Sequence, residues 1–98
     1  MPGEKYPIER EEKESKGRYV VRVEGAVAEM SYSRAGDSLN IIDHTEVPDA
    51  LRGQGVGQAL VRRSVLDARE QGRAIFPVCP FAAAQIERHP EWQDVLKR

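Results

Sequence analysis

The chain has 98 residues and a mass of 11.0 kDa, which is the size of one domain with a small hydrophobic core. Hydrophobic residues make up 40% and charged residues 32%, a balance typical of globular domains, and the net charge of -1 excludes a broadly basic nucleic-acid coat protein. Without an apolar run near ~20 residues or a secretory signal, we expect a cytoplasmic protein with no membrane partner. The single cysteine, Cys79, excludes an internal disulfide and a multi-cysteine zinc site, so no metal is expected.

The N-terminal segment differs in composition from the rest of the chain. Residues 1–16 carry nine charges of both signs and few apolar side chains, which is typical of a mobile or loosely docked arm. We therefore expect a charged arm over residues 1–16 and one folded domain over residues 17–98.

Three strands are predicted next, joined by short glycine-containing turns as an antiparallel meander. Residues 19–23 are rich in β-branched and aromatic side chains, and residues 26–33 alternate between two faces. A longer strand covers residues 38–47 and ends at Pro48, because proline cannot continue a β-ladder.

The second half predicts a helix, a strand and two further helices. Apolar residues at helical spacing predict a helix over 56–71, and a short apolar run predicts a strand over 74–78. Since that helix separates this strand from the one over 38–47, the two strands should run parallel. Helices are predicted over 81–89 and 90–96. The fold class is therefore α+β, with a mixed sheet in which a β-α-β crossover follows the meander.

Charge is distributed unevenly along the sequence. Residues 24–50 have a net charge of -5, whereas residues 51–73 have a net charge of +3. Such a division is compatible with an anion and a cation held at separate places, or simply with two solvated faces of opposite sign.

The segment 47–57 lies between a predicted strand and a predicted helix, at the border where the charge changes sign. Its alternating glycines, Gly53, Gly55 and Gly57, permit a tight turn in which several N–H groups converge. The helix N-terminus adds partial positive charge, and Arg52 adds a planar set of donors. The segment therefore predicts an anion site for a phosphate or pyrophosphate, although a glycine-rich turn without a ligand is the alternative. The spacing fits neither a P-loop nor a dinucleotide fingerprint.

The spacing Arg-x-x-Gly-x-Gly at Arg52, Gly55 and Gly57 resembles the pyrophosphate loop of the GNAT superfamily of acetyl-CoA-dependent N-acetyltransferases. Two further motifs resemble a small, trimmed GNAT-like group: His44-Thr45-Glu46-Val47-Pro48 and Cys79-Pro80-Phe81. The resemblance covers about residues 26–92. It implies a sheet that splays open to admit acetyl-CoA as co-substrate.

The resemblance also implies which residues bind that co-substrate. The pantetheine arm would pair with strand backbone near Glu46 and Val47, and Arg62 or Arg63 would meet the ribose phosphate. The implied acetyl-CoA-binding residues are Val47, Arg52, Gly53, Gln54, Gly55, Val56, Gly57 and Gln58.

Three residues are candidates for the catalysis of acyl transfer. His44 has the ordinary chemistry of a general base, and Glu46 shares its face of a regular strand. Cys79, expected across the cleft from His44, would act as an acid or as a nucleophile paired with it. For His44 and Cys79, the alternative is a structural role, as a satisfied strand histidine and a small buried thiol respectively.

The sequence departs from full-size GNAT enzymes in two ways. Residues 79–98 contain no tyrosine to protonate the departing thiolate, so Cys79 is the best available acid. There is also no room between the first strands for acceptor-binding helices, which leaves an open site for a protein tail, polyamine or small molecule, or for a partner subunit in a homodimer. Phe81 and Trp92 are expected to pack between the terminal helices and the sheet, and His89 to mark a helix boundary.

The sequence therefore predicts an enzyme that transfers an acetyl group from acetyl-CoA to an amine. The alternative is a weak or inactive module that binds acetyl-CoA or CoA. A single-stranded nucleic-acid module is disfavoured, because it needs aromatic residues interleaved with basic ones on one sheet face. Tyr19 and Tyr32 are too few for this and lie near acidic residues.

Overall fold

A computed structural model describes residues 6–97 of the chain. The strands are β1 (Ile8–Lys13), β2 (Lys16–Val23), β3 (Ala26–Ala35), β4 (Leu39–Glu46) and β5 (Ala74–Pro77), and the helices are α1 (Val56–Gln71) and α2 (Pro80–Glu87). Two 3₁₀ turns cover Asp49–Leu51 and Pro90–Val95. Neither α-helix of this region has the length and hydropathy of a membrane-spanning segment.

The five strands form one sheet in the order β1-β2-β3-β4-β5. Strands β1 to β4 pair antiparallel with one another, and β5 runs parallel to β4 after the α1 crossover. The predicted mixed α+β sheet is therefore confirmed. Helix α1 spans the predicted residues and ends at Gly72, whose φ of 68° closes the last turn.

The core lies between one face of the sheet and the two helices. Alternate residues of β2 and β3 supply one side, and the apolar face of α1 supplies the other. The fully buried large side chains of this core are Tyr19, Met30, Ile42, Leu60, Ile75, Ile86, Val21, Val56, Val61 and Val65. Val20 is also fully buried, but it alternates onto the opposite face of the sheet. Both helices pack on this face, and no helix of residues 6–97 covers the opposite face of the sheet.

The expectation of a loosely docked arm is wrong for residues 8–13, which form the edge strand β1. Ile8 packs against the core. The charged residues Arg10 and Glu12 of β1 form hydrogen bonds within the fold and are not simply solvated. Arg10 donates to the Tyr32 hydroxyl at 2.8 Å, and that hydroxyl donates to Glu12 at 2.6 Å. Residues 1–5 lie outside the described part of the chain.

The same network continues onto α1 through a buried tyrosine. The Tyr19 hydroxyl donates to Asp67 at 2.8 Å, and Arg63 donates to the same carboxylate at 3.1 Å. Burial, with the neighbouring negative charge of Asp67, raises the pKa of Tyr19, so its hydroxyl remains a donor. These contacts fix the helix against the strands.

Strand β4 contains a β-bulge at Asp43, which has no register partner on β3 because the pairing shifts between Ile42 and His44. The extra residue reverses the alternation of side chains beyond it. Ile42 faces the helices and is buried, whereas His44 and Glu46 lie on the opposite face and are exposed. Thr45 consequently faces the helices.

Pairing between β4 and β5 ends at Ile42 and Pro77. The N–H groups of Val78 and Cys79 both donate to the carbonyl of Ile42, each at 3.0 Å. Pro80 then begins α2, and a proline at this position turns the chain out of the sheet. Beyond Ile42, the edge of β4 is therefore separated from β5, in agreement with the sheet that was predicted to splay open.

The contacts of Glu12 generate a prediction for acid stability. The hydrogen bond from Tyr32, followed by those from arginine neighbours, lowers the pKa of Glu12 below its ordinary value. A lowered folded-state pKa stabilises the fold above the unfolded value near 4.3 and loses that effect as the pH falls through the folded value. Glu12→Gln should lower the free energy of unfolding by about 1 kcal/mol at pH 7, with a difference from wild type that shrinks towards pH 3.

Urea denaturation at pH 7, 4 and 3 measures this difference. Glu70→Gln is the control, because Glu70 is an exposed carboxylate of α1 with no ion pair in residues 6–97. Equal pH dependence of the two variants would contradict the prediction.

Candidate functional site

The loop between β4 and α1 takes its shape from two glycines with left-handed backbone. Gly53 has a φ of 77° and Gly55 has a φ of 78°, a conformation that costs other residues roughly 1–2 kcal/mol. Gly55 is also the N-cap of α1, and no side chain caps the helix there. The loop therefore leads into α1 with the helix N-terminus open.

The loop presents a row of N–H groups without acceptors. Within residues 6–97, no acceptor from the chain binds the backbone N–H groups from Gly53 to Gln58. The first backbone amide of α1 with a partner is that of Ala59, which donates to Gly55 at 3.0 Å. Unpaired amides at a helix N-terminus, together with the helix dipole, favour a bound anion.

These amides border a cavity of about 440 Å³ on the helix side of the sheet, here called the loop cavity. It is lined by Thr45, Val47, Leu51, Arg52, Gly53, Gly55, Val56, Gly57, Gln58, Phe81 and Gln85. The absence of a side chain at Gly57 allows α2 to approach, because a Cβ there would lie 2.7 Å from the Phe81 ring. The cavity combines an apolar wall with a set of polar donors, as ligand sites commonly do.

Contacts of Tyr6 and Arg52 hold the loop in place. The Tyr6 hydroxyl donates to the carbonyl of Gln54 at 2.6 Å, which ties the N-terminal segment to the loop. Arg52 donates to the carbonyl of Val47 at 3.4 Å and pairs with Asp49 at 3.3 Å. Its side chain is 71% exposed, so the guanidinium lies at the rim of the cavity.

A second cavity, of about 690 Å³, lies on the sheet face away from the helices and is here called the outer cavity. Its lining consists of Val27, His44, Thr45, Glu46, Val47, Pro48, Asp49 and Arg52. Thr45, Val47 and Arg52 line both cavities. The end of β4 is therefore the wall between a site rich in N–H donors and a site that contains carboxylates.

The structure brings His44 and Glu46 together on the outer face but does not pair His44 with Cys79. The Cys79 thiol donates to the Thr45 hydroxyl at 3.4 Å and is 5% exposed. Because successive side chains of a strand point to opposite faces, Thr45 and His44 lie on different sides of β4. The expected thiol–imidazole pair is therefore replaced by a thiol–hydroxyl contact.

The two terminal aromatic residues have different environments. Trp92 is 5% exposed and packs in the core, as expected, with its ring stacked on His89 at 3.8 Å between centroids. Phe81 is 39% exposed and lines the loop cavity instead of packing wholly between helix and sheet. Sequence reasoning also missed Gln85, and the helical spacing from Phe81 to Gln85 was the available signal.

The arginines of α1 are distinguished by their partners. Arg63 is engaged with Asp67 and with the carbonyl of Ile8 at 3.4 Å. Arg62 lies one turn after Gln58 on the same face of α1.

Within residues 6–97, no three potential metal-ligating side chains of His, Cys, Asp or Glu gather together.

Comparisons with known proteins agree with this fold. The family model of GCN5-related N-acetyltransferases matches residues 18–95. The chicken (Gallus gallus) protein NATD1 is 27% identical over 86 residues, which cover 86% of this chain and 78% of that protein.

Two solved structures are also similar. A GCN5-like candidate N-acetyltransferase from Staphylococcus aureus is 36% identical, covers 91% of this chain and 87% of its own, and has a TM-score of 0.68. An acetyltransferase from Vibrio fischeri is 17% identical with a TM-score of 0.57 over 68% of this chain and 63% of its own, which supports the fold alone.

Proposed function

Because this chain belongs to the GCN5-related N-acetyltransferase family, we propose that it transfers an acetyl group from acetyl-CoA to an amine. The observation that carries the proposal is the row of unpaired N–H groups from Gly53 to Gln58 beside the open edge of β4. Acetyl-CoA is a polyanion with an extended amide-containing arm. In this proposal the loop N–H groups bind its phosphates, and the open edge of β4 binds its arm.

The loop cavity supports the binding half of the proposal. The loop amides would hold the diphosphate, with Arg52 at the rim as an additional donor. The free edge of β4 near Glu46 and Val47 would pair with the pantetheine amides, as an added strand does. Arg63 is already engaged, which favours Arg62 for the ribose phosphate.

The outer cavity supports the acceptor half. Arg52 pairs with Asp49, and the carboxylate of Glu46 leaves the cavity with net negative charge, which favours a cationic amine of a protein tail, polyamine or small molecule. In this scheme His44 takes the proton that makes the amine nucleophilic, and Glu46 on the same face orients the imidazole. An N–H at the end of β4 then donates to the tetrahedral oxyanion.

One observation favours a second candidate, a module that binds acetyl-CoA without turnover. All three tyrosines are engaged away from Cys79: Tyr6 with Gln54, Tyr19 with Asp67, and Tyr32 with Glu12. Protonation of the departing thiolate would therefore depend on Cys79 or on solvent. A module of this kind needs the loop cavity but not His44.

The first prediction concerns acetyl-CoA binding by the loop. Gly55→Glu should weaken the affinity for acetyl-CoA by about tenfold or more, because it places a carboxylate among the anion-binding amides. Gly36→Glu is the matched control, since Gly36 has a similar φ of 67° in the turn at the other end of β4. Calorimetric titration measures both; equal affinities for the two variants would count against the loop site.

The second prediction concerns turnover. His44→Ala should lower the rate of amine acetylation by about 100-fold with little change in acetyl-CoA affinity, because a positioned general base contributes about that much. Ser31→Ala is the control, as Ser31 is the neighbour of His44 across the β3–β4 pair. An acceptor screen with polyamines and lysine peptides measures the rates. Binding of acetyl-CoA without turnover of any amine would instead support the non-catalytic module.

The third prediction concerns Cys79. Its low exposure and its contact with Thr45 favour direct transfer over an acetyl-cysteine intermediate. After incubation with acetyl-CoA alone, peptide mass spectrometry should find Cys79 unmodified, and Cys79→Ser should retain a rate within about tenfold of wild type. A stoichiometric acetyl group on Cys79 would overturn direct transfer.

A further inference from the structure

His89 lies beside the loop cavity and is held on three sides. Its ring stacks on Trp92 with an angle of 14° between the planes. Its Nδ1 lies 2.7 Å from the carbonyl oxygen of Gln85, and its Nε2 lies 3.3 Å from Nε2 of Gln58. Gln58 and Gln85 both line the loop cavity. A residue expected to mark a helix boundary therefore contacts the wall of the proposed acetyl-CoA site.

The chemistry of these contacts fixes the tautomer of the neutral imidazole. A carbonyl oxygen only accepts, so Nδ1 carries the hydrogen and donates to Gln85. In a neutral ring Nε2 is then an acceptor, and the Gln58 amide donates to it. The Gln58 amide therefore donates one N–H to the imidazole, and the carbonyl oxygen of Gln58 is turned away from the ring.

Protonation of His89 reverses the second contact but not the first. Both ring nitrogens of an imidazolium are donors, so Nε2 then requires an acceptor. The Gln58 amide supplies one when it rotates by half a turn and presents its oxygen to the ring. The rotation releases the NH₂ group, which becomes free to donate to an anion in the first turn of α1.

We propose that His89 is a positioning residue of the phosphate site. It takes up a proton when an anionic CoA-type diphosphate binds, and the Gln58 amide then turns its oxygen to the imidazole and its NH₂ group to the ligand. This inference rests on the proposed function and names a proton linkage within the same site. By linkage, a ligand that favours protonated His89 binds more tightly as the pH falls.

The charged surroundings of His89 are limited. Arg88, which caps the C-terminus of α2, and Glu91 on the 3₁₀ turn flank it in sequence. Arg62 lies one turn from Gln58 on α1. Among residues 6–97, His89 forms no ion pair. The bound diphosphate would therefore be the main new charge near the ring.

The experiment uses dephospho-CoA, which retains the diphosphate but lacks the 3′-phosphate monoester that itself takes up a proton near pH 6. Calorimetric titration at pH 7 in two buffers of different ionisation enthalpy measures the protons taken up. The wild type should take up about half a proton per ligand, and its affinity should fall roughly five- to tenfold between pH 6 and pH 8.

Matched variants assign the proton to one ring. His89→Gln should abolish the uptake and flatten the pH profile, while His44→Gln, which changes the only other histidine, should keep both. If His89→Gln does not fold, the imidazole ¹⁵N shifts of the wild type give the same answer, because His89 should move towards its protonated form on binding.

The outcomes separate this inference from the proposed function. Binding of dephospho-CoA with no proton uptake, or with uptake retained in His89→Gln, overturns the role of His89 and leaves the acetyl-CoA site standing. Failure of both dephospho-CoA and acetyl-CoA to bind the wild type overturns the proposed function, and this inference with it.

Discussion

The separation of β4 from β5 beyond Ile42 is the constraint on which the candidate site depends. Two local features produce it. On β4, the extra residue Asp43 bends the strand and re-aims the side chains that follow. On β5, Cys79 and Pro80 end the ladder and start α2. A continuous β4–β5 ladder would satisfy the edge of β4 and fill the space on which the loop cavity opens.

The glycine loop provides polarity at the mouth of that opening. Left-handed backbone at Gly53 and Gly55 shapes the turn that leads into α1, and the α1 dipole adds partial positive charge beside the unpaired N–H groups. Burying such donors without partners is costly, so they lie at the surface of a cavity that water or an anion enters. The carboxylates of Glu46 and Asp49 line the outer cavity, and Asp49 pairs with Arg52 at the border between the two cavities.

The sequence predicted the elements whose signals are local, and it missed those set by tertiary contacts. Helix α1 and the glycine loop were predicted because periodicity and left-handed turns are written in residue types. The bulge was not, since Ile42 and His44 have the same parity in the sequence and only the β3 register shows Asp43 as extra. Strand β1 was missed because its charged residues are typical of a solvated segment. In the fold, Arg10 and Glu12 are instead hydrogen-bonded to Tyr32.

The position of Thr45 bears on the order of chemical events. Acceptor and carrier are proposed to approach β4 from opposite faces, and the strand between them is a single chain thick. An acetyl group on Cys79 would start on the helix face, in a position 5% exposed, and would have to pass Thr45 to reach an amine beside His44. Direct attack at the end of β4 requires no such passage. The bulge that moves His44 away from Cys79 therefore favours a mechanism with one transfer step over one with two.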